Sequence, residues 1–139
     1  MSIQTKSERE KFSRLRQSLL HLAGEVQRVV EPVFSDQPVI KGTVYELKRR
    51  CGKPGCRCAR GQLHTRMVLS ASEGGKTRLR VIPKGFLVEV KRKADHYQEL
   101  RRARARLGEL YRKILTVIDS MEQMRREEMS ASEKRSGGG

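Results

Sequence analysis

The sequence predicts an α+β protein. Long N- and C-terminal helices, an antiparallel or coiled-coil stalk, flank a small three-stranded antiparallel sheet with a zinc knuckle. Three observations predict it. Apolar residues recur at alternating steps of three and four towards both ends of the chain. The middle alternates apolar and polar residues around a Gly-Gly turn. All three cysteines fall between positions 51 and 58, ahead of a histidine.

The N-terminal helix is expected over residues 7–31. Phe12, Leu15, Leu19, Leu22, Val26 and Val29 form an a/d stripe. Ser7 with Glu10 suits a capping box at its start, and Pro32 and Pro38 bound a connector after it. A basic knuckle-and-sheet domain follows over residues 41–84. Its first strand, residues 42–50, draws β propensity from Val44, Tyr45 and Leu47. The second, residues 65–72, carries Met67, Leu69 and Ala71 at period two, as a half-buried strand does. Glu73-Gly74-Gly75-Lys76 signals a hairpin turn. The return strand, residues 77–82, sends Leu79 and Val81 one way and Arg78 and Arg80 the other. A coiled-coil helix is expected over residues 84–129, after Pro83. Leu100, Leu107, Ile114 and Met121 repeat at one heptad position, and Ala103, Leu110, Val117 and Met124 at the next. Residues 130–139 are polar and Gly-rich and read as a disordered tail.

The formal charge is +15, and apolar residues make up 36% of the chain with no Trp. So small an apolar fraction points to a small core that a metal would reinforce. The charge is concentrated. Residues 41–84 hold 12 basic and 2 acidic side chains, a net of +10, against +1 for residues 1–40 and +3 for residues 85–129. A basic centre of this kind suits a polyanion, because each Lys or Arg set on a phosphate releases counterions. No apolar run approaches the ~20 residues of a membrane span, and the polar N-terminus lacks a secretory pattern. Clustered cysteines do not resemble a disulfide framework. The expected location is cytoplasmic, on the nucleoid if DNA is bound, with no membrane partner.

The knuckle reads Cys51-Gly-Lys-Pro-Gly-Cys56-Arg-Cys58-Ala-Arg-Gly-Gln-Leu-His64. Three cysteines and one histidine are a common tetrahedral set for structural Zn²⁺. Gly52, Pro54 and Gly55 suit a tight turn, and Cys56 and Cys58 share one side of an extended backbone. Three thiolates, a neutral imidazole and Zn²⁺ sum to −1, which Lys53, Arg57 and Arg60 surround. An iron–sulfur centre with a non-cysteine ligand, or reduced or redox-active thiols, are the alternatives for these cysteines. A surface position is the alternative for His64. His21 and His96 read as surface residues.

This run, followed by a Gly-Lys-Thr hairpin, a Val-Ile-Pro and a long charged helix, resembles a group of small prokaryotic proteins known only as a domain of unknown function. The resemblance covers roughly residues 40–115. It implies a zinc site at Cys51, Cys56, Cys58 and His64, and an association with mobile-element genes. Members commonly carry Gly-Pro-Tyr and further aromatics after the histidine. Here Thr65, Arg66 and Met67 stand there, which leaves any role of those aromatics open.

No catalytic role is expected. Residues 41–84 offer only the carboxylates Glu46 and Glu73, and no P-loop, dinucleotide motif or HExxH is present. The expected function is zinc-stabilised nucleic-acid binding, as an accessory or regulatory factor. Lys48, Arg49, Arg50, Lys53, Arg57, Arg60, Arg66, Lys76, Arg78 and Arg80 are the candidate contacts. Tyr45 is the one aromatic in this segment, which argues against single-strand stacking and for duplex DNA, ahead of structured RNA. The alternative is a coiled-coil adaptor within a larger nucleic-acid machine. Under either reading a homodimer or a protein partner is expected through the C-terminal helix, at Leu100, Leu107, Leu110, Ile114, Val117 and Met121. Regulation of a mobile element, transcription and ribosome association all fit these residues.

Overall fold

Two long helices and a three-stranded antiparallel sheet make up the α+β fold of the computed structural model. It describes residues 3–50, 52–56, 61 and 64–129. Helix α1 spans Lys6–Val29. Its capping box lies two residues before the expected Ser7 and Glu10. The Thr5 hydroxyl accepts from the Glu8 N–H at 3.1 Å, and the Glu8 carboxylate accepts from the Thr5 N–H at 3.1 Å. Both pairs have the right spacing, but only Thr5 has the extended backbone of a cap, with φ −88° and ψ 159°. The backbone N–H groups of Gln4, at 2.8 Å, and Thr5 hold the Glu8 carboxyl below its usual range.

A short 3₁₀ turn, Glu31–Phe34, follows α1. Strands β1 (Thr43–Arg49), β2 (His64–Glu73) and β3 (Lys76–Val81) form a meander with β2 in the middle. Gly74 and Gly75, at φ +58° and +80°, supply the two left-handed positions that the β2–β3 hairpin needs. A 3₁₀ turn at Lys84–Phe86 leads into helix α2, Leu87–Arg125. The helix thus ends before the expected residue 129. Glu127 and Glu128 would set two carboxylates against its negative C-terminal end, whereas Arg125 in the last turn suits that end.

The chain divides into two compact units. One takes the chain up to Glu31 and from Arg104 onward, and the other is Pro32–Ala103. In the first unit, α1 lies antiparallel to the later part of α2. Leu15 lines a groove with Met124, Leu19 with Met121, and Leu22 with Val117. Phe12 and Leu110 are buried, Leu110 completely. Arg106 crosses between the helices to Glu25 at 2.8 Å, and its guanidinium holds the Glu25 carboxyl below the usual carboxylate range. Leu110, Val117 and Met121 therefore serve this internal seam, and Leu107 and Ile114 are half-buried at the same heptad position as Met121. Leu100 lies half-buried in the second unit.

In the second unit, Val68 is 1% exposed, and Ile82 and Ala94 are buried. The Ile40 N–H donates to the Lys93 carbonyl at 3.1 Å, and the Gln98 side chain donates to the Gly42 carbonyl at 3.0 Å. The length by which α2 (39 residues) exceeds α1 (24 residues) is thus engaged with the segment leading into β1. Gly42 is buried at φ +140°. A Cβ there would stand 2.7 Å from the Ser70 carbonyl oxygen and 2.8 Å from Leu69 Cδ1.

Candidate metal centre and basic sheet face

The β1–β2 connection carries the knuckle. Arg49 pairs with His64 across the last register position, so both ends of the connection are anchored in the sheet. Within it, the Cys56 N–H donates to the Lys53 carbonyl at 3.2 Å, closing a turn through Pro54 and Gly55. Gly55 has φ +85°, the left-handed position that such a turn asks of glycine. That turn aims Cys56 back at the start of β2. Its Sγ lies 3.1 Å from His64 Nε2.

Zinc bonds of about 2.3 Å to sulfur and about 2.0 Å to nitrogen set tetrahedral ligands about 3.5 Å apart. The Cys56–His64 separation of 3.1 Å is that of a thiol–imidazole hydrogen bond, shorter than this spacing, so the pair fits zinc in donor chemistry and would open slightly to hold it. The other two expected ligands, Cys51 and Cys58, lie outside the described residues, as do Arg57, Arg60 and the tail at 130–139. Among the described residues, no group of three or more His, Cys, Asp or Glu is placed to hold a metal.

The sheet register sorts the basic candidates by face. Side chains of directly paired residues point the same way, and faces alternate along a strand. Lys48 pairs with Thr65, Arg80 with Leu69, Arg78 with Ala71 and Lys76 with Glu73. Lys48, Lys76, Arg78 and Arg80 therefore share one face. Arg49, paired with His64, and Arg66, paired with Leu47, point to the other. Arg50 follows β1, and Lys53 sits in the knuckle turn.

The apolar residues divide differently from the alternating pattern. Met67, Leu69 and Ala71 are half-buried on the face that carries Arg78 and Arg80. Val68 lies on the opposite face between Tyr45 and Val81. Leu79 and Val81 share that face and stay exposed. Both faces thus have an apolar component, and the arginines project from a partly apolar floor.

Glu73 makes the contacts that alternation alone does not reveal. Its carboxylate lies 3.4 Å from Arg78 Nε and 3.4 Å from Arg80 Nη2. It lines a small cavity of about 130 Å³ with Lys41, Arg78 and Arg80 over Leu69 and Ala71. The signal was present in the hairpin. A two-residue turn after Glu73 sets it opposite Lys76 and diagonal to Arg78.

Residues 12–92, more than half of the chain, match a family described as a domain of unknown function, DUF6788. The chain belongs to this family. The DUF6788 match begins at Phe12 in α1 and ends at Arg92 in α2. It starts well before the residue 40 expected from the knuckle resemblance, so most of α1 is part of the domain. No curated protein and no solved structure matches the chain. No described helix is long and apolar enough to cross a membrane.

Proposed function

We propose that this chain is a non-enzymatic, zinc-stabilised nucleic-acid-binding protein that takes duplex DNA ahead of RNA and acts as an accessory or regulatory factor. One observation carries the reading. Lys48, Lys76, Arg78 and Arg80 project from a single sheet face, with Lys41 beside the two arginines. Rigid strands hold these cations at fixed spacings, which suits a phosphate backbone better than scattered surface charge does. Glu73 aligns both guanidinium groups and opposes their charge, so it tunes the affinity of this face. Zn²⁺ held by Cys51, Cys56, Cys58 and His64 would clamp the loop end of the β1–β2 hairpin and take no part in contacting DNA.

The test is fluorescence anisotropy with a labelled duplex over a salt series. Arg78→Ala with Arg80→Ala should weaken binding at least ~10-fold and lower the log–log salt slope by about 2. Glu73→Gln should do the reverse and tighten binding. Unchanged affinity in a folded double variant refutes the assignment of the face. For the metal, elemental analysis should find about one zinc per chain, and chelation should abolish sheet amide signals while the helical signal persists. Metal-free protein with an intact sheet refutes the clamp.

The alternative reading is an adaptor within a nucleic-acid machine, acting through the helical hairpin. The exposed apolar side chains Leu20, Tyr111, Leu115 and Ile118 favour it. Partner binding with little salt dependence would select it over the first.

A further inference from the structure

The helical hairpin carries a second apolar stripe that its own seam leaves uncovered. Tyr111, Leu115 and Ile118 are 54%, 58% and 43% exposed. Their spacings of four and three set them on one face of α2, about 100° round the helix from Leu110, Ile114 and Val117. Leu20, 74% exposed, flanks this stripe on α1. Leu19 lines one groove with Ile118 and Met121, while Ser18 and His21 line the opposite one with Lys113 and Thr116. The seam itself cannot join two copies without opening, because Leu110 is fully buried within one chain.

We propose that this face is self-complementary, and that two copies of the chain pair through it with their α2 helices antiparallel. Residues follow one another along the face in the order Arg104, Gly108, Tyr111, Leu115, Ile118, Glu122. Pairing about a two-fold axis level with residue 113 sets Tyr111 on Leu115, Gly108 on Ile118 and Arg104 on Glu122, each of them twice. The bulky aromatic meets a leucine, the glycine makes room for the isoleucine once the flexible Arg112 side chain beside it swings aside, and opposite charges close both ends. Neither Arg104 nor Glu122 has an ion-pair partner among the described residues.

Other arrangements lose the match. A parallel pairing in register sets Arg104 on Arg104 and Glu122 on Glu122. A slip of one heptad one way sets Arg104 on Leu115, and a slip the other way sets Glu122 on Tyr111. The match of size and sign is therefore specific to one antiparallel register, which a helix face suited to an unrelated partner has no reason to show. The inference does not rest on the zinc or nucleic-acid readings.

Sedimentation equilibrium on the full chain tests it. Wild-type protein should give twice the 15.9 kDa chain mass. Leu115→Glu should raise the dimer Kd ~100-fold or more with helicity unchanged, because the side chain is exposed in the single chain. Arg104→Glu and Glu122→Arg should each weaken the dimer about 10-fold, and the double swap should restore it. The proposal is overturned by a chain that stays monomeric to ~100 µM. A dimer indifferent to Leu115→Glu overturns it as well. A double swap no better than its single swaps overturns the antiparallel register.

Discussion

In the helical hairpin the most buried side chain, Leu110, falls on the heptad stripe that the chain repeats from Phe12 to Val29 and from Leu100 to Met124. In the sheet unit the most buried side chain, Val68, falls between Met67 and Leu69, two members of the set that alternation marks as inward. The hairpin is ordered by one long, local and redundant pattern. The sheet unit adds to its two strand ladders a few singular contacts: Ile40 with Lys93 and Gly42 with Gln98, far apart in sequence, and Cys56 with His64, eight residues apart. A repeated pattern tolerates the loss of a member better than a short list of singular contacts does, and single changes can measure that difference.

The largest effect is expected at the centre of the hairpin. Leu110→Ala deletes a fully buried side chain and should destabilise this unit by about 3 kcal/mol. Hydrogen exchange should then show early loss of protection in α1 and in the later part of α2, with β1–β3 protected as before. Equal loss in sheet and hairpin would mean that the two units unfold as one.

A smaller but sharper effect is expected at Gly42. Alanine there meets the Ser70 carbonyl and the Leu69 side chain at a backbone angle that L-residues rarely adopt. Gly42→Ala should cost about 2 kcal/mol in urea unfolding and lower the protection of β2. Gly24→Ala inside α1, where the added Cβ meets only the end of Arg28 at 3.7 Å, should instead be neutral or stabilising. If the two substitutions behave alike, the sheet unit does not depend on its singular contacts.

The smallest effect is expected at the Glu25–Arg106 pair. Arg106 lowers the Glu25 carboxyl in the folded chain, so the pair stabilises the hairpin above the unfolded carboxyl value. That contribution fades as pH falls through the lowered folded value. Glu25→Gln should reduce the Tm slightly at pH 7, and the difference from wild type should shrink as pH falls through the lowered folded value. The Leu110→Ala difference should persist across that range.

Much of this architecture was legible in the chain. The helices, the three strands and the Gly74-Gly75 turn follow from periodicity and turn chemistry, which act over a few residues. Helix ends were less legible. Thr5 and Ser7 both start a cap motif, and the choice between them depends on the backbone leading into the helix. Of the candidate metal site, the approach of Cys56 to His64 was readable from the spacing and the Pro54-Gly55 turn. The pairing of Glu73 with Arg78 and Arg80 was not, because it depends on cross-strand register.

The sequence by itself determined the α+β class, the element order and the concentration of positive charge in the middle of the chain. Each of these is a property of short windows or of composition. Only the tertiary structure decided which faces meet. It turned the α2 heptad stripe inward onto α1, left Tyr111, Leu115 and Ile118 outside, and divided the basic residues between two sheet faces. The physical reason is that a periodic pattern specifies that a face is buried, while the partner that buries it is set by chain reversal and register.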